Sequence, residues 1–407
     1  MTQQKWDSAD LIFNIHHKEE KSAACKMSCR AAHRYIVVQS REWKVQSARL
    51  EWCSHSKWNG AVSQTGKCGQ ATGTVQSDMW NLQADLLGTE TQNIFFTSGA
   101  TESNNMAIQG LIRYACQNNK KHIVSSSIEH KSVLETLKYM EQEGFEVTLI
   151  DPDENGLIDE NRYLDAVRDD TFLGILMHVN NETGVIQPID RIGRELHQRG
   201  IFFLVDATQS AGKLVPELQS AEYDFLSFSA HKLQGPQGIG VLVARKRNVL
   251  TPILFGGNQQ QKLRPGTVPT ALVAGLGEAC LQASKLWQRN REKTDQLFDL
   301  AVSTIEASGI RYQINGDLDR SLRNMINISF DDVSSEALMI MMKGVCAISN
   351  GSACNSDSYN LSYVLENMGL DEERLNNAVR ISWGPDTDPA EMKAAIQAMC
   401  EAVQSFQ

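Results

Sequence analysis

Between residues 92 and 245, short apolar runs alternate with longer amphipathic stretches. The apolar runs, in chain order, are NIFFTS, HIVSSS, EVTLI, LGILMHV, IFFLVDA, DFLSFS and GVLVAR. The stretches between them include NMAIQGLIRYA, SVLETLKYMEQEG and IDRIGRELHQRG. Runs of this length are typical of buried strands, and the intervening stretches are long enough for helices. The pattern therefore predicts an α/β protein built from repeated βαβ units, with a mainly parallel sheet covered by helices.

The pattern changes after about residue 270. A single long helix is predicted for ALVAGLGEACLQASKLWQRNREKTDQLFDLAVSTIEAS, and strand-like MINISF and CAISNG then mix with helix-like SEALMIMMKG and PAEMKAAIQAMCEAVQSF. Residues 1–80 keep neither a helical nor a strand period for long. We predict an atypical N-terminal segment over 1–85, a large α/β domain over 86–265, and a bridging helix with a small α+β domain over 266–407.

Composition and charge exclude several classes of protein. The chain has 407 residues, 42% of them hydrophobic and 22% charged, which is typical of a globular protein of more than one domain. Its formal net charge of −10 argues against direct nucleic-acid binding, because phosphate contacts need clustered Lys and Arg. The sequence shows no long apolar run and no signal-peptide pattern at its start. We therefore expect a cytoplasmic protein that does not bind membranes.

The cysteines do not indicate a disulfide framework or a metal site. There are nine, an odd number, and they are scattered along a chain without an export signal. Cys25 and Cys29 lie four residues apart without a second close pair, which is too little for a structural zinc site. We expect no metal.

Polar residues and glycines follow the predicted strands, where ligands bind to a parallel sheet. The turn from Gly99 to Thr101 leads into a helix N-terminus, which favours an anion. Asp206 ends a hydrophobic strand, where a carboxylate is costly without a cation or a donor nearby. The residues at the other strand ends are His130, Asn180, Asn181, Ser229, His231 and Lys232. Each alone has an ordinary structural explanation, since most lysines are at the surface and most single histidines are simply packed.

One cofactor explains these residues together. Pyridoxal 5'-phosphate needs a lysine for its Schiff base, an acid opposite the pyridine nitrogen and a phosphate cradle. Lys232, Asp206 and the turn at Gly99 supply these groups. Dinucleotide binding by GPQGIG explains less, because its glycine spacing does not fit G-x-G-x-x-G and it does not open the first helix.

Seven ordered motifs then resemble the cysteine desulfurases of the class-V aminotransferase group. They are TSGATESNN, SSIEHKSVLE, MHVNNETGVIQPI, VDATQS, SFSAHKLQGPQGIG, LRPGT and SNGSAC, and they cover residues from about 75 to the C-terminus. The resemblance implies a pyridoxal-phosphate-dependent transferase of fold type I, with a seven-stranded sheet and a smaller C-terminal domain. It also implies an enzyme that takes sulfur from L-cysteine, leaving L-alanine and a cysteine persulfide.

The resemblance assigns roles to residues of this sequence. Lys232 attaches to the cofactor, Asp206 contacts its pyridine nitrogen, Gln209 its ring hydroxyl, and His130 stacks on the ring and moves protons. The phosphate-binding set is Ala100, Thr101, Ser229 and His231, with Thr267 of LRPGT reaching the phosphate of the other subunit in a homodimer. Asn181 lies beside the cofactor and the substrate, and Arg380 binds the substrate carboxylate.

Cys354 is the catalytic cysteine implied by the resemblance. It lies among small polar residues in GSACNSDS, whereas buried structural thiols prefer apolar neighbours. The context is similar to the long-catalytic-loop branch of the family, and three motifs resemble its DNA-phosphorothioation members. The sulfur acceptor implied is an iron–sulfur scaffold, a tRNA-thiolation relay or a DNA-phosphorothioation protein.

The sequence departs from the family at two places. The motifs similar to YLDNNATTP and NPSSxH are absent from the first 75 or so residues, and GGNQQQ occupies 256–261 where family members have a glycine triplet followed by Gln-Glu. Two alternatives therefore stay open at this point. One is a catalytically impaired, cofactor-binding scaffold in a sulfur-transfer complex, and the other is an aminotransferase or lyase on the same fold.

Overall fold

The computed structural model describes residues 80–351 and 361–407. Its main feature is a seven-stranded sheet in the order β1-β7-β6-β5-β4-β2-β3. The strands are β1 Ile94–Thr97, β2 His122–Ser126, β3 Glu146–Ile150, β4 Thr171–Met177, β5 Phe202–Asp206, β6 Phe225–Ser229 and β7 Gly240–Ala244. The predicted mainly parallel, seven-stranded sheet is confirmed.

Strand direction brings the predicted site residues to one edge of this sheet. Strands β2, β3, β4, β5 and β6 run parallel to one another, and β7 is antiparallel to both of its neighbours, β6 and β1. Strand β1 therefore runs in the same direction as β6. The carboxyl ends of β1, β2, β4, β5 and β6 meet at one edge, where ligands bind in sheets of this kind.

Helices cover both faces of the sheet. Their bounds are α1 Ala100–Gly110, α2 Ile112–Gln117, α3 Lys131–Gln142, α4 Glu160–Asp165, α5 Ile189–Gln198 and α6 Val215–Ser220, and residues 80–87 are also helical. Helix α5 shows why they pack: its buried residues Ile189, Ile192, Gly193 and Leu196 have the i, i+3, i+4, i+7 spacing of one helix face. Two separate apolar cores result, one on each face of the sheet.

The C-terminal part of the chain has its own core. The long helix α7 Thr270–Ser308 leads to a three-stranded antiparallel sheet of β8 Tyr312–Ile314, β9 Met325–Phe330 and β10 Ala378–Ser382. Four further helices are α8 Ser335–Met341, α9 Tyr363–Asn367, α10 Glu372–Asn377 and α11 Pro389–Gln404. Apolar residues of α7, β9, β10 and α11 form this core together.

One predicted strand is wrong. In CAISNG only Ser349 pairs with a strand, through a bridge to Arg380, and the segment is otherwise irregular. Gly344 and Gly351, at φ angles of 88° and 139°, turn the backbone at either end, so the chain stays beside β10 for one residue only. The sequence predicted a strand because the pattern of small residues in this segment is similar to that of a strand.

The predictions for residues 1–79 and for Cys354 concern residues that lie outside those that the structure describes. Among the residues that the structure describes, no helix is both long and apolar enough to cross a membrane.

Candidate active site

The turn after β1 joins α1 to β6. The Ala100 N–H at the start of α1 donates a hydrogen bond of 2.8 Å to Ser229 Oγ at the end of β6. Gly99 precedes the helix at a φ of 159°, and Gly240 lies against it, so that a Cβ on Gly240 would be 2.5 Å from the Cα of Gly99. Gly240 is therefore needed for the close approach of this turn to the sheet. Two predicted phosphate-binding residues, Ala100 and Ser229, are in direct contact here.

Thr101, in the first turn of α1, is exposed and lines a groove of about 450 Å³ between α1 and α3, together with His130, Asn105 and Ser132. Its neighbour Glu102 forms a two-point ion pair with Arg264, at 2.8 and 3.2 Å. Burial raises the pKa of Glu102, but hydrogen bonds from Arg264 and Ser98 outweigh it and hold the pKa below its ordinary value. The LRPGT segment is thus fixed beside the start of α1.

The unusual segment at 256–261 lies against the free edge of β1. The Gln260 side chain accepts from the Phe96 N–H at 2.6 Å and donates to the Phe96 carbonyl at 2.9 Å, so it pairs with the strand as another strand would. Gln260, Gln261 and Lys262 all have positive φ, a conformation that non-glycine residues rarely adopt. Thr267, five residues after Lys262, is exposed.

A buried hydrogen-bond chain connects Asp206 with His130. Asn104 Nδ2 lies 2.9 Å from both Asp206 Oδ2 and Ser132 Oγ, and Ser132 Oγ lies 2.9 Å from His130 Nδ1. Ser227 Oγ donates to Asn104 Oδ1 at 2.5 Å, which fixes the orientation of the amide. The other Asp206 oxygen accepts from the Thr208 N–H at 2.9 Å. Asp206 is therefore a buried carboxylate with donors on both oxygens.

His130 caps α3, and this contact fixes its tautomer. The Ser132 N–H donates to His130 Nδ1 at 3.1 Å. Because a backbone N–H can only donate, Nδ1 is the unprotonated nitrogen, and the neutral ring carries its hydrogen on Nε2.

Lys232 lies in a short 3-10 helix, Ala230–Leu233, directly after β6. Lys213 Nζ donates to the carbonyl of Lys232 at 3.2 Å and to the carbonyl of Gln209 at 2.7 Å, so it connects two of the predicted cofactor-binding residues. Burial, and then the positive charge of Lys232, lowers the pKa of Lys213 to about 8. Desolvation and the same charge lower the pKa of His231, which lies at the surface beside Lys232.

The turn after β4 contacts β10 of the three-stranded sheet. The Asn180 side chain stabilises this turn, because its oxygen accepts from the N–H groups of Glu182 and Thr183 at 2.9 and 3.0 Å. Asn181 is buried, with a side-chain oxygen that has no hydrogen-bond partner among the described residues. Its carbonyl accepts from Arg380 Nη1 at 2.7 Å. The two predicted substrate-binding residues are therefore adjacent.

Two buried titratable groups lie beside this edge of the sheet. Glu129 Oε1 accepts from Ser126 Oγ at 2.7 Å and from the Met177 N–H at 2.8 Å, while Oε2 has no partner in the described part of the chain. Burial, with a smaller effect of the Asp206 carboxylate, raises the pKa of Glu129 to about 8, although both hydrogen bonds oppose the rise. Burial lowers the pKa of His178 to about 4. Burial therefore favours the neutral form of both side chains.

The sequence interpretation missed Asn104, Ser132 and Lys213, which connect the predicted residues. Asn104 belongs to the quoted TSGATESNN motif and Ser132 to SSIEHKSVLE, so the signal was their place within the motifs. Lys213 follows VDATQS by three residues and had no signal of its own.

Comparisons with known proteins agree with this arrangement. The model of the aminotransferase class-V family matches residues 50–394. Cysteine desulfurase IscS of Shewanella sp. strain W3-18-1 is 43% identical over 329 residues, which are 80% of this chain and 80% of that protein. The solved structure of DndA from Streptomyces lividans is 33% identical with a TM-score of 0.72, covering 84% of this chain and 96% of that one. A structure described as SspA in complex with cysteine is 36% identical with a TM-score of 0.69, covering 79% and 90%. The chain therefore belongs to the class-V aminotransferase family and, within it, to the cysteine desulfurases.

Proposed function

We propose that this chain is a pyridoxal-phosphate-dependent L-cysteine desulfurase that works through Lys232, His130, Arg380 and Cys354. The observation that carries the proposal is the common sheet edge at which Ala100 contacts Ser229 and Asn104 connects Asp206 to His130. The bound cysteine named for the SspA structure supports cysteine as the substrate.

The residues at the edge fit the cofactor. Lys232 would attach to it, Asp206 would pair with its pyridine nitrogen, Gln209 would bind its ring hydroxyl, and His130 would cover its ring. The phosphate-binding set would be Ala100, Thr101, Ser229 and His231. Two buried oxygens without partners among the described residues, Thr208 Oγ1 and Asn181 Oδ1, support a ligand at this edge, because buried polar atoms normally have a partner. When bound, pyridoxal phosphate supplies an electron sink for the substrate carbons.

Asp206 and His130 have separate tasks. Asp206 would pair with the pyridine nitrogen of the cofactor, and the donors to its two oxygens fix the orientation of its carboxyl group. His130 holds a hydrogen at Nε2 because Nδ1 accepts from Ser132, so Nε2–H is the group that His130 would offer to a bound ligand as a hydrogen-bond donor.

Arg380 and Cys354 act on the substrate. Arg380 is held by the Asn181 carbonyl, and its planar guanidinium suits two-point binding of a carboxylate. Cys354 accepts the sulfur: its thiolate forms an S–S bond with the thiol sulfur of the substrate, the substrate C–S bond breaks, and the carbon takes a proton as alanine leaves. The acceptor protein that then receives the sulfur is one of the three kinds named from the sequence.

A homodimer is the second part of the proposal. Phe255 is 89% exposed and lies just before the segment that carries Arg264 and Thr267. Leu254 beside it is 44% exposed, and adjoining exposed apolar side chains support a surface that another chain covers. Light scattering of the Phe255→Ser variant should show a loss of dimer relative to wild type, and two unchanged dimers would contradict this part.

Alanine and sulfide measured from L-cysteine with a reducing thiol test the function. Lys232→Ala and Cys354→Ala should both lose turnover, whereas Cys116→Ala, which changes an exposed cysteine of α2, should keep it. Equal turnover in wild type and Cys354→Ala would remove the role of Cys354. Pyruvate-dependent amino transfer that survives Cys354→Ala would instead favour an aminotransferase, and a coloured dimer without turnover would favour a scaffold.

A further inference from the structure

The turn between β2 and α3, which leads into His130, is held by side chains from other parts of the chain. Its three carbonyls before His130 each accept a hydrogen bond from one of these side chains. The pairs are Ser127 O with Asn367 Nδ2 at 3.0 Å, Ile128 O with Asn180 Nδ2 at 3.1 Å, and Glu129 O with Tyr363 Oη at 2.7 Å. Two of the three donors, Tyr363 and Asn367, belong to α9.

Tyr363 acts on the residue next to His130. The carbonyl that it binds belongs to the peptide bond between Glu129 and His130, and this planar group includes the Cα of His130. The hydrogen bond of 2.7 Å therefore restricts the rotation of the group from which the His130 side chain projects. The ring is fixed separately, since His130 Nδ1 accepts from the Ser132 N–H.

The Tyr363 hydroxyl keeps its proton in this position. Burial, followed by the carboxyl groups of Glu182 and Glu129, raises the pKa of Tyr363 above its ordinary value of 10.0. A protonated phenol can donate to a carbonyl, whereas a phenolate can only accept. The hydrogen bond to the Glu129 carbonyl is therefore kept at neutral and mildly alkaline pH.

Helix α9 has its own attachment to the large domain, so it can hold the turn in place. Val364 and Leu365 are buried in one of the two apolar cores of the large sheet, and Ser362 caps the helix by accepting from the Leu365 N–H. Tyr363 and Asn367 are four residues apart and therefore lie on one face of the helix. The helix thus presents two donors, at a fixed spacing, to carbonyls of the same turn.

We propose that Tyr363 and Asn367 are positioning residues for His130: by holding the carbonyls of Glu129 and Ser127, they set the position of the imidazole at the cofactor-binding edge of the sheet. The inference rests on the proposed function, in which His130 covers the ring of the cofactor.

Two tyrosine variants form a matched pair for the test. Tyr363→Phe removes only the hydroxyl that binds the Glu129 carbonyl. Tyr163→Phe removes a hydroxyl that lies 3.0 and 2.9 Å from the carbonyls of Val124 and Ile175, within the sheet and away from the turn. Tyr163 is fully buried, so the control variant should lose at least as much stability as Tyr363→Phe.

Two asparagine variants form a second pair. Asn367→Ala removes the donor to the Ser127 carbonyl. Asn376→Ala removes a similar donor near the end of α10, whose amide binds the Glu372 carbonyl of its own helix at 2.8 Å.

Hydrogen–deuterium exchange of the holoenzyme, followed in the peptide that covers residues 127–133, reports on the turn without any turnover. Exchange should be about fivefold faster in Tyr363→Phe and in Asn367→Ala than in wild type, which is the population change expected from one neutral hydrogen bond. Tyr163→Phe and Asn376→Ala should exchange like wild type in this peptide.

A double-mutant cycle then tests whether Tyr363 acts through His130. With His130 present, Tyr363→Phe should weaken the binding of pyridoxal phosphate about fivefold by absorbance titration, and lower kcat with L-cysteine by a similar factor at a KM within about twofold of wild type. In the His130→Ala background, Tyr363→Phe should change the dissociation constant of pyridoxal phosphate by less than about twofold, because the residue that it positions is gone. Tyr163→Phe should resemble wild type in these measurements.

Two results would overturn the inference. One is an equal exchange rate of the turn in Tyr363→Phe and Tyr163→Phe, and the other is an equal change in the dissociation constant with and without His130. Wild-type turnover of L-cysteine in Lys232→Ala would instead reject the proposed function, and it would leave the exchange result intact. The two failures are therefore distinguishable.

Discussion

The buried acid Glu129 should make the stability of the protein fall as pH rises, and Glu129→Gln should remove this effect. In the unfolded chain this carboxyl ionises near its ordinary pKa of 4.5, whereas burial in the folded state raises the pKa to about 8. Between those values the folded state binds more protons than the unfolded state, so the free energy of unfolding decreases with pH. The difference between 8 and 4.5 corresponds to at most about 5 kcal/mol, at 1.36 kcal/mol for each pKa unit.

Urea unfolding at about pH 6 and about pH 9 measures the part of this loss that lies above pH 6, at most about 3 kcal/mol. Glutamine stays neutral and keeps an oxygen for the Ser126 and Met177 donors, so Glu129→Gln should lose less stability than wild type over this range. The control is Glu135→Gln, a change at an exposed carboxyl on α3, which should follow wild type. Parallel changes in wild type and Glu129→Gln would show that Glu129 is ionised in the folded protein, and would refute the reasoning.

Three further changes test the contacts around the site. Asn104→Ala should cost about 3 kcal/mol of unfolding free energy in urea, because it leaves a buried carboxylate and two hydroxyls without their partner, and an effect below about 1 kcal/mol would contradict this. Lys213→Met should weaken cofactor binding about tenfold by absorbance titration, since two carbonyls lose a charged donor, while Lys213→Arg should keep most of the affinity. His178 has its pKa lowered to about 4, so stability is lost as pH falls from 6.5 towards 4, by at most about 3 kcal/mol. His178→Asn should flatten this acid dependence of urea unfolding, and a wild-type acid slope in the variant would be the contrary result.

The large sheet could be predicted from the sequence because most of its strands are buried on both faces, β3 at the edge being the exception. Strand β4, for example, is buried at every residue, and such a strand is visible as a continuous apolar run. The small sheet gave a weaker signal. Strand β10 has one partly exposed and one exposed residue among five. In CAISNG, the alternating half-buried Cys346 and Ile348 are spaced like residues of a strand, although only Ser349 pairs with one.

The sequence could predict which residues meet at the sheet edge where they end or follow strands, as Asp206 at the end of β5 and Lys232 after β6 do, and their roles stay predictions. What the sequence could not show is how those residues are connected, because the connecting side chains come from helices and from a turn, whose orientations are set by packing. Asn104 reaches Asp206 from the second turn of α1, across a distance in sequence of 102 residues. Similarly, no sequence pattern shows that Glu129 is buried, since its environment is created by the packing of β2 against β4.

Peptide mass spectrometry after a single addition of L-cysteine tests the central claim most directly, namely that this site moves sulfur from cysteine to Cys354. The holoenzyme is mixed with about one equivalent of L-cysteine without a reducing thiol, quenched by alkylation, and analysed for alanine and for the peptide that contains Cys354. The account predicts alanine and one additional sulfur on Cys354 in equal amounts, and neither product in Lys232→Ala. Alanine formed while Cys354 stays a simple thiol, or the additional sulfur found on another cysteine, would contradict it.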